Sequence, residues 1–394
     1  MNKRQQKGFQ IAQQKAIKET KGGWLVKSES GNGFYRVSED FICDCRDSEL
    51  HNSTCKHAYA VRYYLNIEKQ KPTGMESEKI RLTYKQAWSV YNKAQTNEGH
   101  LFDELLRDLV FNINDREQRM GRPHLLLKDN IFIAIKKVYS QVSSRRSISL
   151  FGIDKEKGLI THTPHFNSIQ NFLSNPIITP ILHDLIAITS APLREVETEF
   201  AIDSTGFRTR CFGAYCEGKY PSKREHIWIK LHASCGVKTN IITSVEIKEE
   251  YSGDSPELIP LTQKMVDNGF AVEKVFADKG YLSRENLNHI EKIGATQFIP
   301  FKENSVFSAK GSSAWRKMYF YFKMNQEEFL ANYHKRSNIE STFAAMKKKL
   351  GDTLRSKNKT SQINELLCKV IAYNITVLIQ EMEELGIKPN FTGA

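Results

Sequence analysis

Two short apolar runs, each followed at once by an aspartate, constrain the fold of this 394-residue chain more than any other feature. Phe-Ala-Ile precedes Asp203, and Val-Phe-Ala precedes Asp278. Short apolar runs bounded by turn-forming residues predict buried strands. Further strand patterns begin at His226, Asn240 and Ala295, and helical patterns begin at Ser255 and Ser283. This alternation predicts an α/β fold with a mixed sheet covered by helices.

Asp203 and Asp278 are both expected to project from strand ends. In open α/β sheets, ligands bind beyond the ends of the strands, so this position favours a site. The alternative is that both residues only form turns, since Asp-Ser-Thr-Gly and Asp-Lys-Gly are turn-like sequences.

The segment 333–347 adds a third carboxylate. At about 100° per residue, a helix would place Tyr333, Arg336, Glu340 and Lys347 within an arc of roughly 60°. An apolar stripe lies beside them, formed by Ile339, Phe343, Met346 and Leu350. The alternative is an ordinary surface ion pair between Arg336 and Glu340, which stand four residues apart.

Three converging carboxylates would raise one another's pKa values unless a cation neutralised them. Oxygen ligands suit a hard ion such as Mg²⁺ or Mn²⁺. Two such ions about 4 Å apart can activate an attacking oxygen and stabilise the leaving oxygen of a displacement at phosphorus. Arginine is suited to contact the phosphate itself. The pattern therefore predicts phosphate chemistry on nucleic acid.

These three blocks resemble those of the DDE transposases of bacterial and archaeal insertion sequences. The residues that match are Asp-Ser-Thr-Gly at Asp203, Asp-Lys-Gly-Tyr at Asp278, and Tyr-x2-Arg-x3-Glu-x6-Lys from Tyr333 to Lys347. The resemblance implies an RNase H-like catalytic domain at 194–390. It implies that Asp203, Asp278 and Glu340 are catalytic and hold Mg²⁺ or Mn²⁺. Tyr333, Arg336 and Lys347 would then contact the transposon end.

The predicted function is therefore a metal-dependent DNA transposase, which cleaves at element ends and joins 3' ends to target DNA. We expect a homodimer or larger complex on DNA and a cytoplasmic, nucleoid-associated location. One alternative is an RNase H-like nuclease that cleaves without joining. The other is a catalytically inert DNA-binding protein.

Three other residues of the same region have weaker claims. Asp254 precedes a predicted helix and reads as an N-terminal cap, with a metal-ligand role as the rival interpretation. His232, within a predicted strand, is assigned no role. Trp315 follows Asp278 where some relatives carry a large β-rich insertion; it either stacks on a flipped base or packs against the domain.

A second cluster lies near the N-terminus. Cys43, Cys45, Cys55 and His57 form a Cys-x-Cys-x9-Cys-x-His pattern, which is the donor set of a structural zinc site. His51 is a less favourable substitute for His57. Disulfides are the alternative, although thiols usually stay reduced in a chain without a visible signal peptide.

Two strand patterns before these ligands and a helix from about Lys56 after them predict a small ββα module. It resembles the SWIM zinc finger, and the match covers about residues 1–70. Zinc would be structural here, since so small a module buries little core. The other thiols, Cys211, Cys216, Cys235 and Cys368, are predicted to be ordinary and buried or partly buried.

Residues 78–193 are predicted to form a helical, DNA-binding domain, joined to the module by a linker at about Glu68 to Glu78. The stretch 165–173 could be the recognition helix of a helix-turn-helix. A plain helical bundle is the alternative.

Charge agrees with a nucleic-acid partner. The formal net charge is +12, and basic residues cluster in the first 27 residues and again after Glu340. Such a surface favours a polyanion and salt-dependent binding. A membrane partner is not expected, because no apolar segment looks long enough to span a bilayer.

Overall fold

The computed structural model describes residues 3–14, 16–20, 22–28, 33–38, 40–51, 55–69, 87–115, 125–209, 228–307 and 311–391. The chain divides into two compact units, Met1–Lys85 and Gln86–Ala394, and each is described by itself. Most of the predicted linker, as well as Cys211 and Cys216, lies outside the described residues.

The first unit is a small antiparallel sheet with helices. The two predicted strands and the helix from Lys56 are confirmed, while the first strand and the first helix were not predicted. Apolar side chains from sheet and helices, including Val26, Val37 and Val61, form its core beside the three cysteines. The elements are α1 (Lys3–Gln13), β1 (Ile17–Thr20), β2 (Gly23–Lys27), β3 (Phe34–Val37), α2 (Arg46–His51) and α3 (Lys56–Lys69), with strand order β1-β2-β3.

The second unit begins with helices, as the periodicity predicts. The first of them runs without a break over 24 residues, from Trp88 to Phe111. The helices are α4 (Trp88–Phe111), α5 (Leu127–Ser140), α6 (Ser144–Glu156), α7 (Phe166–Leu173) and α8 (Ile178–Ser190).

A five-stranded sheet follows, and it confirms the predicted mixed α/β fold. The strands are β4 (Glu199–Arg208), β5 (Trp228–Gly236), β6 (Ile242–Glu249), β7 (Lys274–Ala277) and β8 (Thr296–Phe298), in the order β6-β5-β4-β7-β8. The first three strands are antiparallel neighbours, whereas β7 runs parallel to β4 and β8 runs parallel to β7. The connection between the parallel neighbours β7 and β8 contains the helix Arg284–Lys292, which is the usual kind of connection between parallel strands.

Helices cover both faces of this sheet. Alternate residues of β4 show the division, since Phe200 and Ile202 join one hydrophobic core and Ala201 and Phe207 join the other. The helices of this half are α9 (Leu258–Asp267), α10 (Arg284–Lys292), α11 (Ser313–Met324), α12 (Gln326–Tyr333), α13 (Ser337–Leu350) and α14 (Lys359–Glu384). Helices α11 and α12 were not predicted.

Helix α14 forms the centre of the core that α4, α5 and α8 also share. By length and composition it could cross a membrane, so the expectation that no segment is long enough was wrong. In the 18-residue apolar stretch of this helix, however, 94% of the residues are buried inside the protein. A buried core helix passes the same test of length and composition as a membrane span, because it is apolar on all sides.

Candidate active site

Strand register brings Asp203 and Asp278 together. Parallel pairing of β4 with β7 ends at Ile202 opposite Ala277, so the next residue on each chain is an aspartate. Neighbouring strands lie about 4.8 Å apart, which puts the two carboxylates side by side. Asp278 ends its strand as predicted. Asp203 does not, because β4 continues to Arg208 along its other partner, β5.

Asp278 is fixed by the turn that follows it. Its Oδ1 accepts a hydrogen bond of 2.8 Å from the Gly280 N–H and caps a short 3-10 turn. A Cβ at position 280 would stand 2.9 Å from this oxygen, so glycine permits the close approach. The turn-forming interpretation is therefore correct for one oxygen. Among the described residues, Oδ2 accepts no hydrogen bond, so that it is available to a ligand.

Arg336 connects the other two acidic residues. One guanidinium nitrogen donates to Asp203 Oδ2 and the other to Glu340 Oε1. The ring of Tyr333 lies beneath the guanidinium, with its centroid 5.8 Å from Cζ, and itself packs on the core. A single predicted helix over 333–347 was wrong in detail. Helix α12 ends at Tyr333, a 3-10 turn covers His334–Arg336, and α13 carries Glu340.

The three carboxylates influence one another electrostatically. Burial raises the pKa of Asp203, and the charges of Asp278 and Glu340 raise it further, against the opposing effect of Arg336. Arg336 has a raised pKa because the attraction of Asp203 and Glu340 outweighs the effect of its own burial. Carboxylates that oppose one another's ionisation while a cation offsets them are typical of a metal-binding site.

The donor set fits a hard divalent ion, but in this conformation the three residues do not form one closed ligand group. Among the described residues, their oxygens do not all lie within 4.8 Å of one another. The guanidinium of Arg336 stands between Asp203 and Glu340 and separates them. Asp203 and Asp278 therefore lie next to each other, whereas Arg336 stands between Asp203 and Glu340.

Lys347 lies further along the same face of β4. Its ammonium donates to Thr205 Oγ1 at 2.6 Å and lies 5.2 Å from the centroid of the Phe207 ring. Asp203, Thr205 and Phe207 alternate along the strand and so point to one face. The 3-10 turn that carries Arg336 and the helix α13 that carries Lys347 thus place the two cations along a row that begins at the acidic site.

A second polar cluster, which the sequence did not reveal, lies on the opposite face. Asp254 Oδ1 pairs with Lys230 Nζ at 2.6 Å and accepts from Ser204 Oγ at 3.1 Å. It occupies the N-cap position that was predicted, at the start of a 3-10 turn over Ser255–Glu257, but its side chain makes no capping hydrogen bond there. His232 Nδ1 lies 3.6 Å from the same oxygen and 3.2 Å from the Tyr281 hydroxyl.

The protonation state of His232 follows from its burial. The residue is fully buried, and burial lowers its pKa to about 4, so the ring is neutral near pH 7. Its Nε2 has no hydrogen-bond partner among the described residues. The one usable signal was the alternation of Lys230 and His232 on β5, which points both side chains to one face.

Trp315 is packed rather than presented to a ligand. Its ring meets Phe301 edge-on at a centroid distance of 5.0 Å, and its Nε1 donates to the Val306 carbonyl at 3.0 Å. The guanidinium of Arg284 lies over its face. Of the two interpretations of Trp315, the structure supports packing.

In the first unit, the four predicted zinc ligands converge. Side-chain ligand atoms of Cys43, Cys45, Cys55 and His57 all lie within 4.8 Å of one another, and all four residues are buried. Imidazole Nδ1 is the nitrogen that faces the sulfurs, at 3.7 Å from Cys43 and 3.9 Å from Cys55. The ring stacks on Tyr35. The side chain of His51 lies outside the described residues.

These thiols do not behave as independent groups. Hydrogen bonding from Cys43, and also from His57, lowers the pKa of Cys55 to about 3 despite its burial. The pKa of Cys43 is raised, because its proton is shared with Cys55 and because it is buried. Three sulfurs and a ring nitrogen at this spacing fit a tetrahedral zinc site, since zinc takes up thiolates. Cys235 and Cys368 are buried, as predicted.

In a comparison with known proteins, the family match falls in the second unit. Residues 194–375 match the family model described as "Transposase DDE domain". No curated protein matches the chain. Among solved structures, the chain is similar to one titled "Cryo-EM structure of piggyBac transposase synaptic complex with hairpin DNA", with 10% identity, a TM-score of 0.37, and coverage of 73% of this chain and 77% of that one. Asp203, Asp278 and Glu340 all fall inside the matched family segment.

Proposed function

We propose that this protein is a DNA transposase that cleaves a phosphodiester bond at the ends of its own element and joins the freed 3' end to target DNA. The observation that carries the proposal is the register of β4 and β7, which ends at Ile202 opposite Ala277 and so places Asp203 beside Asp278, next to the Arg336–Glu340 ion pair. The match of residues 194–375 to a transposase domain supports the same chemistry.

Asp203, Asp278 and Glu340 would hold Mg²⁺ or Mn²⁺. When bound, these ions would supply Lewis-acid activation of the attacking oxygen and stabilisation of the leaving oxygen. The donor chemistry supports this, because all three ligands offer oxygen and because the pKa of Asp203 reflects the charges of the other two. Arg336 now neutralises Asp203 and Glu340, so it must turn away from at least one of them for both to bind metal.

The same movement gives Arg336 its role towards DNA. A guanidinium released from a carboxylate can make a bidentate contact with a phosphate. Tyr333 would limit how far it moves, since the two side chains are stacked. Lys347, held between Thr205 and Phe207, would bind the next phosphates along the strand. Acting on two element ends would require a homodimer or larger complex.

In the first unit, Cys43, Cys45, Cys55 and His57 would hold one structural zinc ion in a module of the SWIM type. The convergence of four buried ligand atoms supports this proposal. Zinc would have no catalytic task, because a site with four protein ligands leaves no open position for a substrate.

A strand-transfer assay tests the function. Labelled duplexes carrying the terminal inverted repeats that flank the gene would be incubated with target plasmid and Mg²⁺, Mn²⁺ or EDTA. We expect metal-dependent cleavage followed by joined product. Asp278→Ala should lose both products by on the order of 10³-fold or more while DNA binding is largely retained.

Asp267→Ala is the matched control. That aspartate is exposed, and its side chain accepts a hydrogen bond from Gln263 Nε2. It should cleave and join like the wild type. Cleaved ends without joined product would replace the proposal with a nuclease. DNA binding without any metal-dependent cleavage would replace it with a binding protein, and full cleavage by Asp278→Ala would remove Asp278 from the site.

A further inference from the structure

The second unit contains a basic pocket away from the acidic site. Its volume is about 480 Å³, and it lies where α5, α6, α7 and the segment leading into α14 meet. Its lining consists of cationic and uncharged polar side chains together with the ring of Phe166.

The charge of this pocket has one sign. Lys137, Arg145, Arg355 and Lys357 line it, and among the described residues no aspartate or glutamate does. The Arg145 guanidinium is held over the Phe166 ring, 4.7 Å from its centroid, and this contact fixes it at the pocket. A concave surface of uniform positive charge attracts anions.

Three helices begin at the same pocket. Ser143, His165 and Asn358 are the N-caps of α6, α7 and α14, and each accepts a hydrogen bond from a backbone N–H of the first turn. Residues at or next to these three caps line the pocket. The N-terminal end of a helix carries partial positive charge and outward-pointing N–H groups, which favour a phosphate.

Lys137 is a second, independent feature of the pocket. It is only 3% exposed and lines the pocket, yet within the described part of the chain its ammonium forms no hydrogen bond or ion pair. The acid that lines the adjoining cavity with it, Glu365, instead accepts from the backbone N–H groups of Arg355 and Ser356. A charge on a side chain this buried is costly without a counter-charge, and an anion in the pocket that Lys137 lines would supply one.

Strand β4 connects this pocket to the acidic site. The Arg208 N–H donates to the Asp352 carbonyl at 3.0 Å, and the Leu354 N–H donates to the Arg208 carbonyl at 2.7 Å. The segment that carries Arg355 is thus attached to the far end of β4. Arg208 lies five residues beyond Asp203, or about 17 Å at about 3.4 Å per residue.

We propose that this pocket binds a backbone phosphate of the same DNA whose scissile phosphate reaches Asp203 and Asp278. Lys347 lies between the two, so the three positions form one track along β4. The ~17 Å of β4 between Asp203 and Arg208 corresponds to roughly five nucleotides of duplex rise, and the pocket lies beyond Arg208. The inference rests on the proposed function, because it takes DNA as the substrate. It also assigns a use to the basic Ser-Ser-Arg-Arg segment and to the start of α7.

Salt-dependent DNA binding tests the pocket. Arg355→Gln with Lys357→Gln removes two of its charges without touching the buried Lys137. Binding of a duplex that includes the element end would be measured by fluorescence anisotropy in EDTA at several salt concentrations. We expect roughly five- to tenfold weaker binding and a fall of about one in the slope of log K against log salt.

Lys155→Gln with Lys157→Gln is the matched control, since both residues are exposed at the other end of α6. Lys137→Met, checked for folding by circular dichroism, should repeat the loss. Equal effects of the pocket and control pairs, or an unchanged slope, would overturn the proposal. So would thermal stabilisation by inorganic phosphate that the pocket pair abolishes while its DNA binding stays normal, which would assign the pocket to a small anion.

The outcome is separable from that of the proposed function. Because the binding assay contains no divalent metal, it reports on the pocket even if the protein never cleaves DNA. A pocket-dependent slope without any cleavage would keep the pocket and reject the transposase. Strand transfer by the wild-type protein, together with unchanged DNA binding by the Arg355→Gln and Lys357→Gln double variant, would keep the transposase and reject the pocket.

Discussion

Asp203 is the residue whose ionisation the fold opposes most visibly at the candidate site. Burial and the charges of Asp278 and Glu340 raise its pKa above the ordinary value of 3.8. A carboxyl with a raised pKa in the folded state destabilises the fold once pH exceeds its ordinary pKa, because ionisation then favours the unfolded chain. The site therefore carries a stability cost at neutral pH.

Asp203→Asn should remove this cost. In urea titrations at pH 7, without divalent metal, we expect a higher unfolding midpoint than in the wild type. The advantage should shrink as pH falls towards 4, because the wild-type carboxyl is then increasingly protonated in both states. A variant less stable than the wild type at pH 7 would show that the hydrogen bonds to Arg336 and Ser204 N–H outweigh the burial of the charge.

Arg336 competes with metal for Asp203 and Glu340. Arg336→Ala should therefore unfold at a lower temperature in EDTA, because it leaves two carboxylates facing each other. It should also gain more stability from Mg²⁺ than the wild type does, by about 1 kcal/mol if metal affinity rises several-fold. Thermal shift with and without Mg²⁺ measures both effects.

Lys335→Ala is the matched control for that prediction, since its ammonium pairs with Glu199 rather than with the three acidic residues. It should show the wild-type response to Mg²⁺. An equal Mg²⁺ response in Arg336→Ala would mean that the guanidinium does not block metal binding.

At the scale of elements, strand and helix types were predictable where the apolar period was clear. Strands β4, β5, β6 and β7 were all predicted, since each combines an apolar run with turn-forming neighbours. The 3-10 turn at His334–Arg336 was not, because it interrupts the helix without interrupting the spacing of the side chains. The register that pairs Asp203 with Asp278 depends on contacts between distant segments, which no local pattern contains.

The C-terminal end of α13 depends on Lys369 of α14. The buried ammonium donates to the carbonyls of Leu350, Gly351 and Thr353 at 2.9, 2.6 and 3.1 Å. Lys369→Met should destabilise the second unit by about 2–4 kcal/mol, because three buried acceptors lose their donor. Urea unfolding at pH 7 measures this. The exposed Lys388→Met should change stability little, and a similarly small effect at Lys369 would contradict the capping role.

Glu381, near the end of α14, should make the stability of the second unit depend on pH. Burial, reinforced by Glu384 and Glu197, raises its pKa from 4.5 to about 7. Wild-type stability should therefore fall as pH rises from about 4.5 to about 7. Glu381→Gln should remove this fall and gain on the order of 2–3 kcal/mol at pH 8, with little gain at pH 4.5. Urea midpoints across this range measure it, with the exposed Glu156→Gln as control.

At the scale of the whole molecule, residues that lie close in sequence could be assigned to one site, whereas residues that meet only in the folded chain could not. The Cys-x-Cys-x9-Cys-x-His spacing contains all four members of the Cys/His cluster that could hold a metal ion, because these residues lie close together in sequence on one small module. The pocket at the start of α6, α7 and α14 was not predictable, since Lys137 and Arg355 are 218 residues apart. The positive charge was visible as composition, but its concentration in one cavity required the fold.

The two compact units predict separable stability. Cys55→Ser should lose zinc and unfold the first unit while the second stays folded, because Cys55 lies at the centre of the four-ligand cluster and the units have separate cores. The zinc content found by metal analysis should fall from about one ion per chain to near zero. Circular dichroism melts should show the first unit's transition lost and the second retained. Cys368→Ala, which also removes one buried thiol, should keep its zinc; unchanged zinc content in Cys55→Ser would refute the ligand assignment.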